Sequence, residues 1–286
     1  MPSISSPVSV EFFPHDSVKE NRFDLLTTPK HAKAVQNQGQ VYLVGAGTGD
    51  PELLTIKAYK TILQADVICY DNLVSDEILA LNTTAEKIYV GKKCHKHSMS
   101  QQNINGLLVT LAQQGKTIVR LKSGDPFIFG RGGEEMQTVI SAGVACESIA
   151  GITTALAVAN SVNIPLTHRD YAQSVKFVTG FLKTDTPNEQ YAELLADNQT
   201  VVFYMGLNTL PNLTQGLLQA GKSADTPFAI IANVSRHNEQ VLVATLSTIQ
   251  ALQNDAKLPS PAVMIMGDVV SLYHQLNTPT LTYAAL

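Results

Sequence analysis

Few cysteines, few charged residues and no long apolar run mark this chain, and each shortage excludes something. The three cysteines among 286 residues, Cys69, Cys94 and Cys146, are odd in number, far apart and without a CxxC pair. Neither a disulfide framework nor a cysteine zinc site is encoded, and a reducing cytoplasmic setting is expected. Apolar runs such as 41–46 are strand-length and fall far short of the roughly 20 residues a membrane span requires, so no membrane partner is expected. Charged residues make up 15% of the chain and the formal net charge is −4, which gives no reason to expect nucleic acid as a partner. Any anionic ligand must be held by a local basic cluster. The first 39 residues contain Pro2, Pro7, Pro14 and Pro29 and lack both a basic start and a continuous apolar segment. They do not read as a secretory signal; a poorly ordered extension over 1–39, partly helical near 18–26, is expected. There is no repeat at a fixed period and no low-complexity tract.

What is present is a regular alternation. With 44% hydrophobic residues the chain can bury the core of one large domain or two smaller ones, and two are expected. Apolar, β-branched runs at 41–44, 67–70, 88–90, 117–121 and 144–149 read as strands. Helix-period stretches at 52–64, 101–114, 134–142 and 153–161 lie between them. Parallel strands require crossover connections, so this order implies a largely parallel sheet covered on both faces. The segment "NIPLTHRD", 163–170, breaks the pattern. A second strand series follows at 175–179, 200–204, 227–232, 240–245 and 262–266. Across "NVSRHNE" two of these runs meet without room for a helix, so the second sheet should be mixed, with an antiparallel pair. The expected organisation is an N-terminal α/β domain over 40–163, a linker at 164–170 and a C-terminal α/β domain over 171–286.

Two glycine-rich loops follow strands of the first sheet. "VYLVGAGTGDPELLT", 41–55, invites comparison with the dinucleotide fingerprint GxGxxG. Gly45 and Gly47 fit its first two places, but Asp50 stands at the third, where a glycine is needed for helix packing. No GxxxxGK[ST] phosphate loop is present either, so the turn suits a ligand that is not a polyphosphate. Taken alone it is also a plain strand-to-helix turn, with Asp50 as cap and Pro51 at the first helical position. The second loop, "RLKSGDPFIFGRGGEE", 120–135, has more permissive residues than a structural turn needs. Two such loops at the carboxyl edge of one parallel sheet mark the place where open α/β sheets bind ligands.

Taken with "ADVICYDNLVS", "YVGKK", "GITTA", "IPLTHRDYAQS", "FYMGL" and "SPAVMIMGDVV", these loops give eight motifs in order. Over about residues 40–275 the chain resembles the S-adenosylmethionine-dependent tetrapyrrole methyltransferases, and among them the uroporphyrinogen-III C-methyltransferases. The resemblance implies two α/β domains with the cofactor in the cleft between them, and a homodimer. It implies two methyl transfers to uroporphyrinogen III, at C2 and C7, giving precorrin-2 via precorrin-1 on the way to sirohaem or cobalamin. Cofactor contacts are implied for Thr48, Ser123, Gly124, Asp125, Ile128, Thr153, Thr154, Met205 and Val234. Asp71 and Lys92 match a proton acceptor and a proton donor. Arg131 matches a residue proposed to remove or relay the ring proton, with Glu134 beside the substrate, and Arg131 and Arg169 are candidates to grip substrate carboxylates bidentately.

Each of these residues also has a plainer reading: a turn cap for Asp71, a solvated basic loop for Lys92, core packing for Met205. For Arg131 and Arg169 it is a surface ion pair, with Glu134 and Asp170 respectively. Thr48 stands where the family usually has proline, Ser123 where it has glycine, and Val234 at the glycine of its "NGT". Exchanges involving proline and glycine act through chain entropy by about 0.4–1 kcal/mol per site. The extra dehydrogenase and chelatase domain that some members carry in front is not expected, only the extension 1–39. Cys94, His95 and His97 are a weak metal signal, being close in sequence with no distant partner. No metal is expected, because a methyl group on a sulfonium needs no Lewis acid. The rival readings are a related methyltransferase with a different acceptor, an NAD-type oxidoreductase and a non-catalytic tetrapyrrole carrier.

Overall fold

The structure, a computed structural model, describes residues 39–91, 99–180 and 191–277. The expected extension 1–39 therefore lies almost wholly outside the described residues, as does the loop carrying Lys92, Cys94, His95 and His97.

The first sheet comprises β1 (Gln40–Gly45), β2 (Val67–Tyr70), β3 (Glu86–Tyr89), β4 (Thr117–Lys122) and β5 (Ala145–Ile149) in the order β3-β2-β4-β1-β5. Every pairing is parallel. All five strands therefore end at one edge, with Gly45 opposite Lys122 and Val44 opposite Leu121 and Ile149. Apolar residues continue along the strands because both faces are covered. One face, with Val44, Ile68, Val119 and Leu121, meets α1 (Ile56–Leu63) and α2 (Asp76–Ala80). The other, with Val41, Leu43, Val67 and Ile118, meets α3 (Gln101–Gln113) and α4 (Gly132–Ser141). Full burial of each such side chain contributes about 1.5–3 kcal/mol.

Three of these helices start at hydroxyl caps, Thr55, Ser75 and Ser100, each accepting a backbone N–H three residues on. The cap at Thr55 divides the helix expected over 52–64. Pro51–Leu53 forms a short 3₁₀ turn, in which Asp50 accepts from Glu52 N, before α1 begins. Helix α2, which the periodicity does not signal, is a single five-residue piece.

The second sheet has β6 (Ser174–Thr179), β7 (Gln199–Tyr204), β8 (Pro227–Ala232), β9 (Gln240–Thr245) and β10 (Ala262–Met266) in the order β6-β7-β10-β8-β9. It is mixed: β6 runs parallel to β7, β10 antiparallel to both β7 and β8, and β8 antiparallel to β9. The β8–β9 pair is the one expected across "NVSRHNE". One face packs on α6 (Leu210–Gln219) and α7 (Ile249–Ala256). The other packs on α5 (Thr154–Ser161), whose Ala155, Ala157 and Val158 cluster with Val202, Ile231 and Val263. Helix α5 follows the last strand of the first sheet and buries its apolar side against the second, so the two sheets are joined by packing as well as by chain.

Candidate active site

At the carboxyl edge of the first sheet the two glycine loops touch. Gly47 and Gly124 exchange backbone hydrogen bonds, N to O, of 3.2 and 2.6 Å. Behind them three backbones converge. A Cβ on Gly45 would lie 2.4 Å from Gly151 N, and one on Gly151 would lie 2.3 Å from Gly124 O, so no larger residue fits. Asp125 locks this arrangement: its carboxylate accepts Phe127 N–H at 2.9 Å and Gly151 N–H at 3.1 Å.

In front of the loops lies a cavity of about 450 Å³, in the range usual for small-molecule sites. Thr48, Ser123 and Thr154 line it from the side of the first sheet, and Met205 and Val234 from the second. Five of the nine residues expected to touch a cofactor thus share one wall. The other four are not among the residues that line it. Gly124 is engaged with Gly47, Asp125 with the loop backbone, and Ile128 is half-buried. Thr153 directs its hydroxyl to Tyr204 Oη at 2.8 Å. The Thr153 hydroxyl and the Asp125 carboxylate thus both make hydrogen bonds within the protein. Met205 is held at φ 55°, is 52% exposed and lines the cavity.

Three further residues of this wall, Tyr204, Asn72 and Arg236, were not among the expected site residues. Tyr204 accepts Ala155 N–H at 3.0 Å and packs against Phe129, with ring centroids 4.9 Å apart. Its neighbour in "FYMGL" was the available clue. Asn72 follows Asp71. Arg236 comes from the turn "NVSRHNE" and donates to the carbonyl of Leu73 at 3.0 Å. Beside it Thr48 Oγ1 donates to Ser235 Oγ at 2.8 Å. The rim of the cavity is therefore bonded across from one sheet to the other.

The charged candidates lie outside this wall. Arg131, in the left-handed region at φ 58°, stands at the start of α4 and is 54% exposed in its side chain. It pairs in two-pronged fashion with Glu134, Nε to Oε1 at 3.0 Å and Nη2 to Oε2. This is the surface ion pair that the plainer reading foresaw. The hydrogen bond to Glu134 raises the Arg131 guanidinium above its ordinary value, and the same bond holds the Glu134 carboxyl below its own. Arg169 is exposed, and Asp170, its foreseen partner, instead lies 3.9 Å from His168 Nδ1. Asp71 does act as a turn cap, Oδ1 accepting Leu73 N–H at 3.2 Å. Its other oxygen faces Arg120 Nη2 at 3.6 Å. Lys92 lies outside the described residues.

Arg120 belongs to a buried charged group that the sequence reading missed. Glu135 on α4 is fully buried, 0% exposed. Its oxygens take Lys122 Nζ at 3.0 Å, Arg120 Nε at 3.3 Å and Gln101 Nε2 at 3.0 Å. Burial, and then the charge of Arg120, lower the Lys122 ammonium below its ordinary value, while Glu135 opposes both.

Residues 40–250 match the family of tetrapyrrole (corrin/porphyrin) methylases, and the chain belongs to that family. A siroheme synthase of Psychrobacter cryohalolentis is 54% identical over 250 residues, which cover 87% of this chain and 48% of that protein. The chain thus spans about half the length of such curated relatives. Among solved structures, a uroporphyrin-III C-methyltransferase from Thermus thermophilus is 36% identical with a TM-score of 0.71, over 85% of this chain and 98% of the other. A Thermus thermophilus structure of this enzyme complexed with S-adenyl homocysteine is 37% identical with a TM-score of 0.70, over 82% of this chain and all of the other.

Proposed function

We propose that this chain methylates uroporphyrinogen III at C2 and C7 with S-adenosylmethionine, giving precorrin-2 by way of precorrin-1 for sirohaem or cobalamin synthesis. The observation that carries this reading is the meeting of Thr48, Ser123, Thr154, Met205 and Val234 in one cavity. The donor set fits the cofactor: hydroxyls for its polar end and a soft, exposed Met205 for its adenine. The Thermus enzyme's complex with S-adenyl homocysteine supports the same choice. Gly124, Asp125 and Thr153 brace the loops and Tyr204 of that wall, and Ile128 is assigned to the cofactor with them.

When bound, the cofactor supplies a methyl group already activated by a cationic sulfur. What remains for the chain is alignment, which in well-oriented reactions reaches effective molarities of about 10⁵–10⁸ M. Arg131 and Arg169 grip substrate carboxylates, and Glu134 sets the orientation of Arg131. A guanidinium offers donors and no lone pair, so this reading assigns the ring proton to Asp71 rather than to Arg131, with Lys92 as donor. A homodimer working in the cytoplasm belongs to the same reading.

The test is anaerobic incubation of the purified protein with S-adenosylmethionine and uroporphyrinogen III, followed by mass analysis of the tetrapyrrole. Two added methyl groups are expected; any other final number refutes the assignment.

A further inference from the structure

Arg120 and Lys122 are two residues apart on β4, so both point to the face covered by α3 and α4. Asp71 lies two residues beyond Cys69 of β2, which is in register with Arg120. Its side chain therefore projects on that same face, one step past the strand end. Glu135 enters from α4 and Gln101 from α3. The group consists of two cations and two carboxylates, and only Asp71, with 29% of its side chain exposed, reaches the open edge.

Such a group is a poor way to stabilise a fold. Buried ion pairs often do no better than apolar residues of the same volume, because desolvation offsets the attraction. The surrounding strand positions, Ile118, Val119 and Leu121, are wholly apolar and fully buried, so an apolar solution was at hand. The neighbouring carboxylate in "GGEE" has a different use: Glu134 faces outward to Arg131, while Glu135 faces inward.

The arrangement has a direction. Glu135 accepts Nε of Arg120, and the carbonyl of Leu121 accepts Nη1 at 3.0 Å. With those donors engaged, the planar guanidinium cannot turn, and its remaining nitrogen, Nη2, is aimed at Asp71 Oδ2. Leu73 N–H holds Oδ1. One oxygen of Asp71 is held by its own turn and the other stands 3.6 Å from Arg120 Nη2 in an ion pair with the buried group, and the next two residues, Asn72 and Leu73, line the cavity.

We propose that Glu135, through Arg120, is a positioning device that orients the Asp71 carboxylate for its work at the cavity edge, with Lys122 and Gln101 completing the support. This rests on the reading of Asp71 as proton acceptor.

Arg120→Lys keeps the charge and loses the fork, and it is the primary variant because it preserves the charge balance of the buried group, which Glu135→Gln does not. In Arg120→Lys, kcat should fall about tenfold or more, the scale of a misplaced catalytic group, while KM and the Kd for S-adenosylhomocysteine stay within about twofold. In an Asp71→Asn background the same replacement should lower kcat no further. Glu135→Gln should reproduce the pattern wherever it folds. A further loss of kcat in the Asp71→Asn background, or KM and Kd rising in step with a falling Tm, overturns the proposal. The carboxyl ¹³C resonance of Asp71 in the ligand-free protein keeps the two readings apart. A wild-type protein without methyltransferase activity defeats the functional assignment alone, whereas an Asp71 resonance unmoved by Arg120→Lys defeats the positioning role whatever the activity.

Discussion

Tyr204→Phe is a severe test of how the cavity wall is built. Helix α5 begins at Thr154, yet the residue at its cap position, Thr153, makes no capping bond with its side chain. The Tyr204 phenol, from β7 of the second sheet, takes Ala155 N–H instead and pairs with the Thr153 hydroxyl. One of the donors left open at every helix start is thus satisfied by the other sheet. Ala155 is fully buried and Thr153 nearly so. Leaving a buried donor unmatched costs about 1–3 kcal/mol. At roughly 2–4 °C per kcal/mol for chains approaching this size, Tm should fall by about 2–12 °C. Calorimetry and urea unfolding measure this. Because the two hydroxyls share one bond, Thr153→Val combined with Tyr204→Phe should cost less than the sum of the single changes, by about 0.5 kcal/mol or more. Tyr204 also lines the cavity, so affinity for S-adenosylhomocysteine should fall in the same variant. A Tm within about 1 °C of wild type, with additive double-variant behaviour, would refute the account.

Gly151→Ala places a methyl group against Gly124 O and Gly45, all backbone; loss of soluble folded protein or of cofactor binding is expected, and wild-type affinity would contradict the close approach. Arg131→Ala removes an exposed pair, so Tm should stay within about 1–2 °C. Turnover with uroporphyrinogen III should nevertheless fall far more than affinity for S-adenosylhomocysteine, and equal losses in both would remove its assigned role. Burial pushes the Cys69 thiol up from its ordinary 9.0 to about 11. The unfolded chain ionises this thiol first, so its contribution is intact below pH 9 and is lost as pH rises through about 11. Urea midpoints for wild type should decline over that window more steeply than for Cys69→Ala, and parallel profiles would count against it.

Much of the first sheet was legible because its strands are buried on both faces, so their apolar runs stand out against polar turns. Boundaries moved by a residue or two, as for β3 at Glu86–Tyr89 against the expected 88–90. The mixed second sheet was legible through the short turn between β8 and β9. Helices α6 and α7 were not among the expected elements, although both bury apolar residues, Leu210, Leu213, Leu217 and Ile249, against the second sheet. For the site, motif residues marked Thr48, Ser123, Thr154, Met205 and Val234 as neighbours. Sequence could not reveal that Asp125 and Thr153 spend their polar groups inside the protein, because Gly151 and Tyr204 meet them only in the folded chain. Arg120 and Lys122 were hidden for a related reason. Alternating charge on a strand reads as an exposed face, and only Glu135, arriving from a helix, makes burial tolerable.

The bonds from Thr48 to Ser235 and from Arg236 to the Leu73 carbonyl act as a clasp across the mouth of the cleft. A proline at position 48, the usual residue in the resembling family, has no hydroxyl with which to form the first of them. At a net of about 0.5–1.5 kcal/mol each, the pair favours the fastened mouth by about 1–3 kcal/mol, a factor of about 5–150. That is enough to set the width of the opening and too little to seal it. In the proposed reaction, two successive methyl transfers oblige spent cofactor to leave and fresh cofactor to enter, and a clasp of this strength can part and refasten between them while both sheets stay intact.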